Sequence, residues 1–93
     1  MIEPSMLKIR NIRYYKKNYV VRIMRRKKTL KEAKALERYL LKFINCVNTY
    51  QDQTQGTFIV QTYKEYRNVE DAIKIRDFIE SAIIQYNKIN RIQ

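Results

Sequence analysis

Histidine is absent from this 93-residue sequence, and cysteine, glycine and proline occur once each. Serine occurs only at Ser5 and Ser81. Without histidine the usual general base, every Ser-His-Asp arrangement and most metal-site patterns are removed. Gly56 alone cannot build a GxGxxG or GxxxxGK phosphate loop. Cys46 alone cannot form an intrachain disulfide, which agrees with a reducing compartment, and it reads as a small buried side chain after a helix. The nine carboxylates are mostly interleaved with Lys and Arg in helix-surface contexts. The expectation is a non-enzyme with no catalytic residue, no metal and no cofactor.

Long apolar runs are also missing. No stretch approaches a membrane span, and "MIEPSMLKIR" lacks the apolar core of a signal peptide. The expected location is intracellular: the cytoplasm of a prokaryotic host, or the nucleus if the source is eukaryotic. The length suits one small domain, residues 1–93, with a single two-layer core.

What is present in excess is positive charge. Twenty Lys and Arg against nine acids give a net charge of +11. Self-repulsion on that scale points to an acidic partner: nucleic acid, an anionic membrane surface or an acidic protein. The charge is unevenly spread. Residues 5–44 hold fourteen Lys/Arg and two Glu, for +12, whereas residues 47–83 hold four Lys/Arg and six acids, for −2.

That division coincides with an internal repeat. Shifted by 39 positions, "YVVRIMRRKKTLKEAKALERYLLKFI" falls on "FIVQTYKEYRNVEDAIKIRDFIESAI". Tyr19/Phe58, Val20/Ile59, Val21/Val60, Leu36/Ile75 and Leu40/Ile79 are apolar in register. Thr29 with Glu32 and Asn68 with Asp71 repeat a capping box, a side chain satisfying free N–H groups at a helix start. Unit one spans about 5–45 and unit two about 47–88.

Each unit reads as a hairpin followed by a helix. Strands are expected over 7–15, 19–27, 48–53 and 57–66, with a first turn at Lys16-Lys17-Asn18, where Asn18 takes the left-handed conformation, and a looser one at Gly56. Helices are expected over 30–44 and 69–88. Leu30, Ala33, Leu36, Leu40, Phe43 and Ile44 form the buried stripe of the first. The fold class is then α+β: a ββαββα tandem, one four-stranded antiparallel sheet with both helices on one face.

Alternation assigns the strand faces. Tyr19, Val21 and Ile23 point to the helices; Val20, Arg22, Met24, Arg26 and Lys28 point away. Arg13 and Tyr15 join them from the first strand, with Lys16 and Lys17 at the hairpin tip. The candidate nucleic-acid contacts are Arg13, Tyr15, Lys16, Lys17, Arg22, Met24, Arg26 and Lys28. Basic heads mixed with flat or flexible apolar groups suit a groove lined by phosphates and base edges. In unit two Ile59, Tyr63 and Tyr66 mark a candidate protein contact on a weakly charged face.

The strand "NIRYYKKNYVVRI" (11–23) and the helix start "TLKEA" (29–33), echoed by "TFIVQT" (57–62) and "NVEDA" (68–72), resemble the AP2-like DNA-binding domains. These include the arm-type domains of phage and transposon integrases. In that family a sheet lies in the DNA major groove with a helix behind it. The resemblance is to a tandem and shortened version, without the family's glycines or the strand before its helix. It implies base-contacting positions at Arg13, Tyr15, Arg22 and Met24, and phosphate contacts at Lys16 and Lys17.

Two functional expectations follow. One is a small DNA-binding regulator or accessory factor of a phage or mobile element, with duplex DNA favoured and RNA or single strands also open through stacking on Tyr15 and Tyr63. The other is an interaction protein, such as a phage inhibitor of a host nucleoprotein complex of the CRISPR-Cas kind (an anti-CRISPR). Membrane binding is not expected, because the charge sits on a sheet and not on a strongly apolar amphipathic helix.

Overall fold

The computed structural model describes residues 9–92 and the side chains of 9–90. Its elements run β1 (Ile12–Tyr15), β2 (Asn18–Lys27), α1 (Leu30–Leu41), β3 (Val47–Asp52), β4 (Thr57–Tyr66) and α2 (Val69–Ile92). The four strands form one antiparallel sheet in the order β1-β2-β4-β3. Both helices cover the same face, so the fold is the α+β ββαββα arrangement that the repeat implies.

The two long strands, β2 and β4, pair at the centre, and their register reveals a pseudo-twofold axis. Ile23 lies opposite Thr62, the residue 39 positions later, so each is the other's counterpart in the repeat. The Thr62 hydroxyl donates to the Ile23 carbonyl at 3.4 Å in the buried layer beside this axis. The helices then cross over. α1, which follows unit one's hairpin, lies mainly on β3 and β4, while α2 lies mainly on β2, reaching both β1 and β4. Each unit's helix is buried mainly by the other unit, so the core is shared: Val21, Ile23 and Val60 from the sheet meet Ala33, Leu36 and Leu40 from α1 and Ala72, Ile79 and Ile83 from α2.

Both capping boxes form. The Thr29 side chain accepts from the Glu32 N–H at 3.2 Å, and Asn68 accepts from the Asp71 N–H at 2.8 Å. α1 stops at Leu41 and not at Ile44, because the following Ile44-Asn45-Cys46-Val47 run favours extended backbone. Leu30 and Phe43 are consequently half exposed and not part of the buried stripe. α2 continues past Lys88 to Ile92, with no Gly or Pro to stop it. Cys46 is half-buried and packs against the core; its carbonyl accepts from the Tyr63 N–H at 3.0 Å.

The first hairpin differs from expectation in two ways. β1 begins at Ile12, since Asn11 turns the chain with φ 65° and is held by Glu80, which accepts from Asn11 at 2.8 Å and from Arg10 at 2.7 Å. Residues 7 and 8 of the expected strand lie outside the described residues. The tip is a two-residue turn in which Lys16 (φ 50°) and Lys17 (φ 67°), not Asn18, take the left-handed conformation. Asn18 is already paired with Tyr15. The second hairpin closes through the longer Gln53–Gly56 loop, where Gly56 supplies φ 68° and its N–H bonds the Asp52 carbonyl at 2.8 Å.

Candidate nucleic-acid interface

Register fixes what the helix-free face of the sheet displays, because side chains directly opposite share a face. Crossing from β1 outward, Arg13 lies beside Val20 and Val20 beside Glu65. Further along, Arg22 faces Tyr63, Met24 faces Gln61 and Arg26 faces Ile59. On the far edge Asn48 follows Gln61, and Tyr50 follows Ile59. The expected parity is therefore correct for Arg13, Tyr15, Arg22, Met24 and Arg26, all of which are exposed on this face.

Their surroundings differ sharply. Arg22 donates from Nε and Nη2 to the Gln61 side-chain oxygen at 3.1 and 3.0 Å. A guanidinium has five N–H donors, so three remain on the outward edge of a group now fixed in orientation. Gln61 is the pseudo-symmetric counterpart of Arg22, so unit two supplies the neutral group that positions unit one's cation. Arg26, by contrast, bonds Asp52 at 2.9 Å and also donates to the Thr57 hydroxyl. The Arg26 hydrogen bond holds the Asp52 carboxyl below its usual range, with help from the Thr54 N–H. Arg26 is thus paired across the outer face while its side chain stays exposed.

Around Arg22 the face is dished. Asn11, Ile12, Arg13, Tyr15, Arg22 and Tyr63 line a depression of about 490 Å³ over Val20. Val20 is only 7 % exposed although it points away from the helices, because these longer side chains cover it. The rim holds two guanidinium groups and two phenol rings. Tyr15 is 54 % exposed, and the Lys16 ammonium stands 5.3 Å from its ring centroid. With Lys17 beside it, the tip carries two adjacent exposed cations.

Lys28 is placed differently from the strand pattern. β2 ends at Lys27, and Lys28 sits in the bend before Thr29, exposed but beyond the sheet. The unit-two cluster is not a surface. Ile59 is 7 % exposed, beneath the Met24, Arg26 and Tyr50 side chains, and Tyr66 stands opposite Tyr19 on the helix side and packs against the core. Only Tyr63 of the three is exposed on the outer face, where it belongs to the Arg22 depression.

Sequence reading missed two contributors. Gln61 as the holder of Arg22 follows from strand register, which the repeat spacing of 39 would have given once β2 and β4 were paired about the repeat's own axis. Asp52 as the partner of Arg26 depends on how the second hairpin closes, for which the sequence carries no comparable signal. No helix of the described residues is long and apolar enough to cross a membrane. No protein-family model, curated protein or solved structure matches this chain.

Proposed function

We propose that this protein binds nucleic acid without catalysis, through the open face of the unit-one hairpin, and that duplex DNA is its preferred form. The observation that carries the reading is the placement of Arg13 and Arg22 around one depression on the helix-free face, with the Lys16-Lys17 tip following its Tyr15 rim. Arg22, held edge-on by Gln61, presents a fork that matches guanine O6 and N7 or a phosphate. Lys16 and Lys17 project from the tip as point charges suited to backbone phosphates. The AP2-like resemblance of residues 11–23 and 29–33 supports the same sheet-in-groove mode. Arg26 contributes less, since it is shared with Asp52.

The depression also favours a second reading. Tyr15 and Tyr63 flank an apolar floor at Val20, an arrangement that accepts an unpaired base between ring and guanidinium. Gel shifts with duplex and single-stranded forms of one sequence separate the two. Tighter binding to the duplex supports the first reading, tighter binding to the single strand the second, and no binding to either at low salt overturns both.

A further inference from the structure

Unit one's charge is not confined to the sheet. α1 carries Lys31, Lys34 and Arg38, and Lys42 caps its C-terminal end, all exposed. At 3.6 residues per turn these four side chains fall within about 80° of one another, opposite the buried Ala33, Leu36 and Leu40. They form a ridge about 16 Å long along the helix axis. Lys27 lies beside Lys31 at its start, where both line a shallow cavity with Tyr86 and Asn90. The acids of α1 sit on its flanks: Glu32 in the Thr29 cap, and Glu37 bonded to Lys34 at 3.4 Å with its side chain 15 % exposed.

The ridge brings like charges together along the helix that bears it. Lys31 in the first turn opposes the macrodipole. Lys34 with Arg38 and Arg38 with Lys42 are like-charge neighbours at i, i+4 spacing, which repel. Solubility alone does not require this, since the outward side of α2 mixes Glu70, Lys74, Asp77, Ser81, Gln85 and Lys88. A row of four cations along one line of the helix is complementary to a row of phosphates. It is also on the far side of the molecule from Arg13 and Arg22, with the core between, so a straight duplex seated on the sheet cannot reach it.

We infer that the α1 ridge is a second, sequence-independent phosphate-binding surface, and that one molecule bridges two duplex segments, one on each face. The inference rests on the sheet-face reading above. Its test is a capture assay: a bead-bound duplex, the full-length protein, and a second, fluorescent duplex in solution, with gel shifts run in parallel on one duplex. The Lys31→Gln/Lys34→Gln/Arg38→Gln/Lys42→Gln variant, its fold checked by circular dichroism, should lose capture by about tenfold while single-duplex affinity changes by less than about threefold. Bridging is overturned, and the sheet reading left standing, if wild type binds one duplex but captures no second. Capture by the variant at the wild-type level overturns it too, and would place bridging in a protein–protein contact. Loss of single-duplex binding in the ridge variant but not in an Arg13→Gln/Lys16→Gln/Lys17→Gln/Arg22→Gln variant would make α1 the sole interface and overturn both readings. Binding of polyglutamate in place of any duplex would overturn both in favour of an acidic protein partner.

Discussion

The two units share a skeleton and differ in surface. Val20 and Ile59 are counterparts, each buried beneath the outer face at 7 % exposure, and Val21 and Val60 are counterparts in the core. Between these fixed points the outward residues diverge: Arg22 against Gln61, Met24 against Tyr63, Arg26 against Glu65. The difference teaches that apolar positions specify the fold while outward positions specify what the fold meets. It also shows cooperation across the axis, since unit two's Gln61 orients unit one's Arg22 and its Asp52 neutralises Arg26. The exchange of helices makes that cooperation obligatory, because each hairpin is covered mainly by the other unit's helix.

Separating the two units should have the largest effect. A fragment ending at Cys46 leaves α1 without the β3–β4 surface it packs on, and β1–β2 without α2. It should show no cooperative unfolding by circular dichroism. A fragment that folds would make the units independent. Within the full chain, Leu36→Ala opens a cavity at a side chain with 0 % exposure and should cost about 2–5 kcal/mol in denaturant unfolding.

Charge on the outer face sharpens the comparison without touching the core. Arg22→Ala should flatten preference among duplex sequences by about 1–3 kcal/mol at one base position, whereas Lys17→Ala should weaken all sequences alike. Equal losses on specific and scrambled DNA for both variants would remove the division between reading and positioning. Reversing Glu65, the counterpart of Arg26, removes an acid opposite Val20 on the same outer face and should strengthen binding to all duplexes alike.

The smallest effect concerns the Arg26–Asp52 pair. Asp52→Asn releases a guanidinium on the binding face and should strengthen duplex binding by a few-fold, read by gel shift. The pH dependence has a definite sign. The Asp52 pKa is lowered on folding, so its contribution to stability is present above the ordinary carboxylate range and is lost as pH falls through the folded value. The Asn variant should therefore lose less stability on acidification than wild type.

Much of this was legible in the sequence for physical reasons. Period-two alternation placed Arg13, Tyr15, Arg22 and Met24 on one face, and the repeated caps at Thr29 and Asn68 fixed both helix starts. Other features were hidden because they arise between segments. Ile59 reads as exposed by parity, yet neighbouring long side chains bury it, whereas alternation alone places Tyr66 with Val60 and Thr62 on the helix side. The helix exchange leaves no trace in local pattern, since α1 has the same apolar stripe whichever hairpin it covers.

Duplex affinity as a function of salt, compared between wild type and the Arg13→Gln/Lys16→Gln/Lys17→Gln/Arg22→Gln variant, tests the central claim most directly. Wild type should show a log–log slope of about −4 to −6, and the variant a slope shallower by about two units or more, one for each of the Lys16 and Lys17 phosphate contacts, with its fold intact. A variant that kept the wild-type slope and affinity would contradict the account, because the unit-one sheet face would then not be the surface that meets the phosphates.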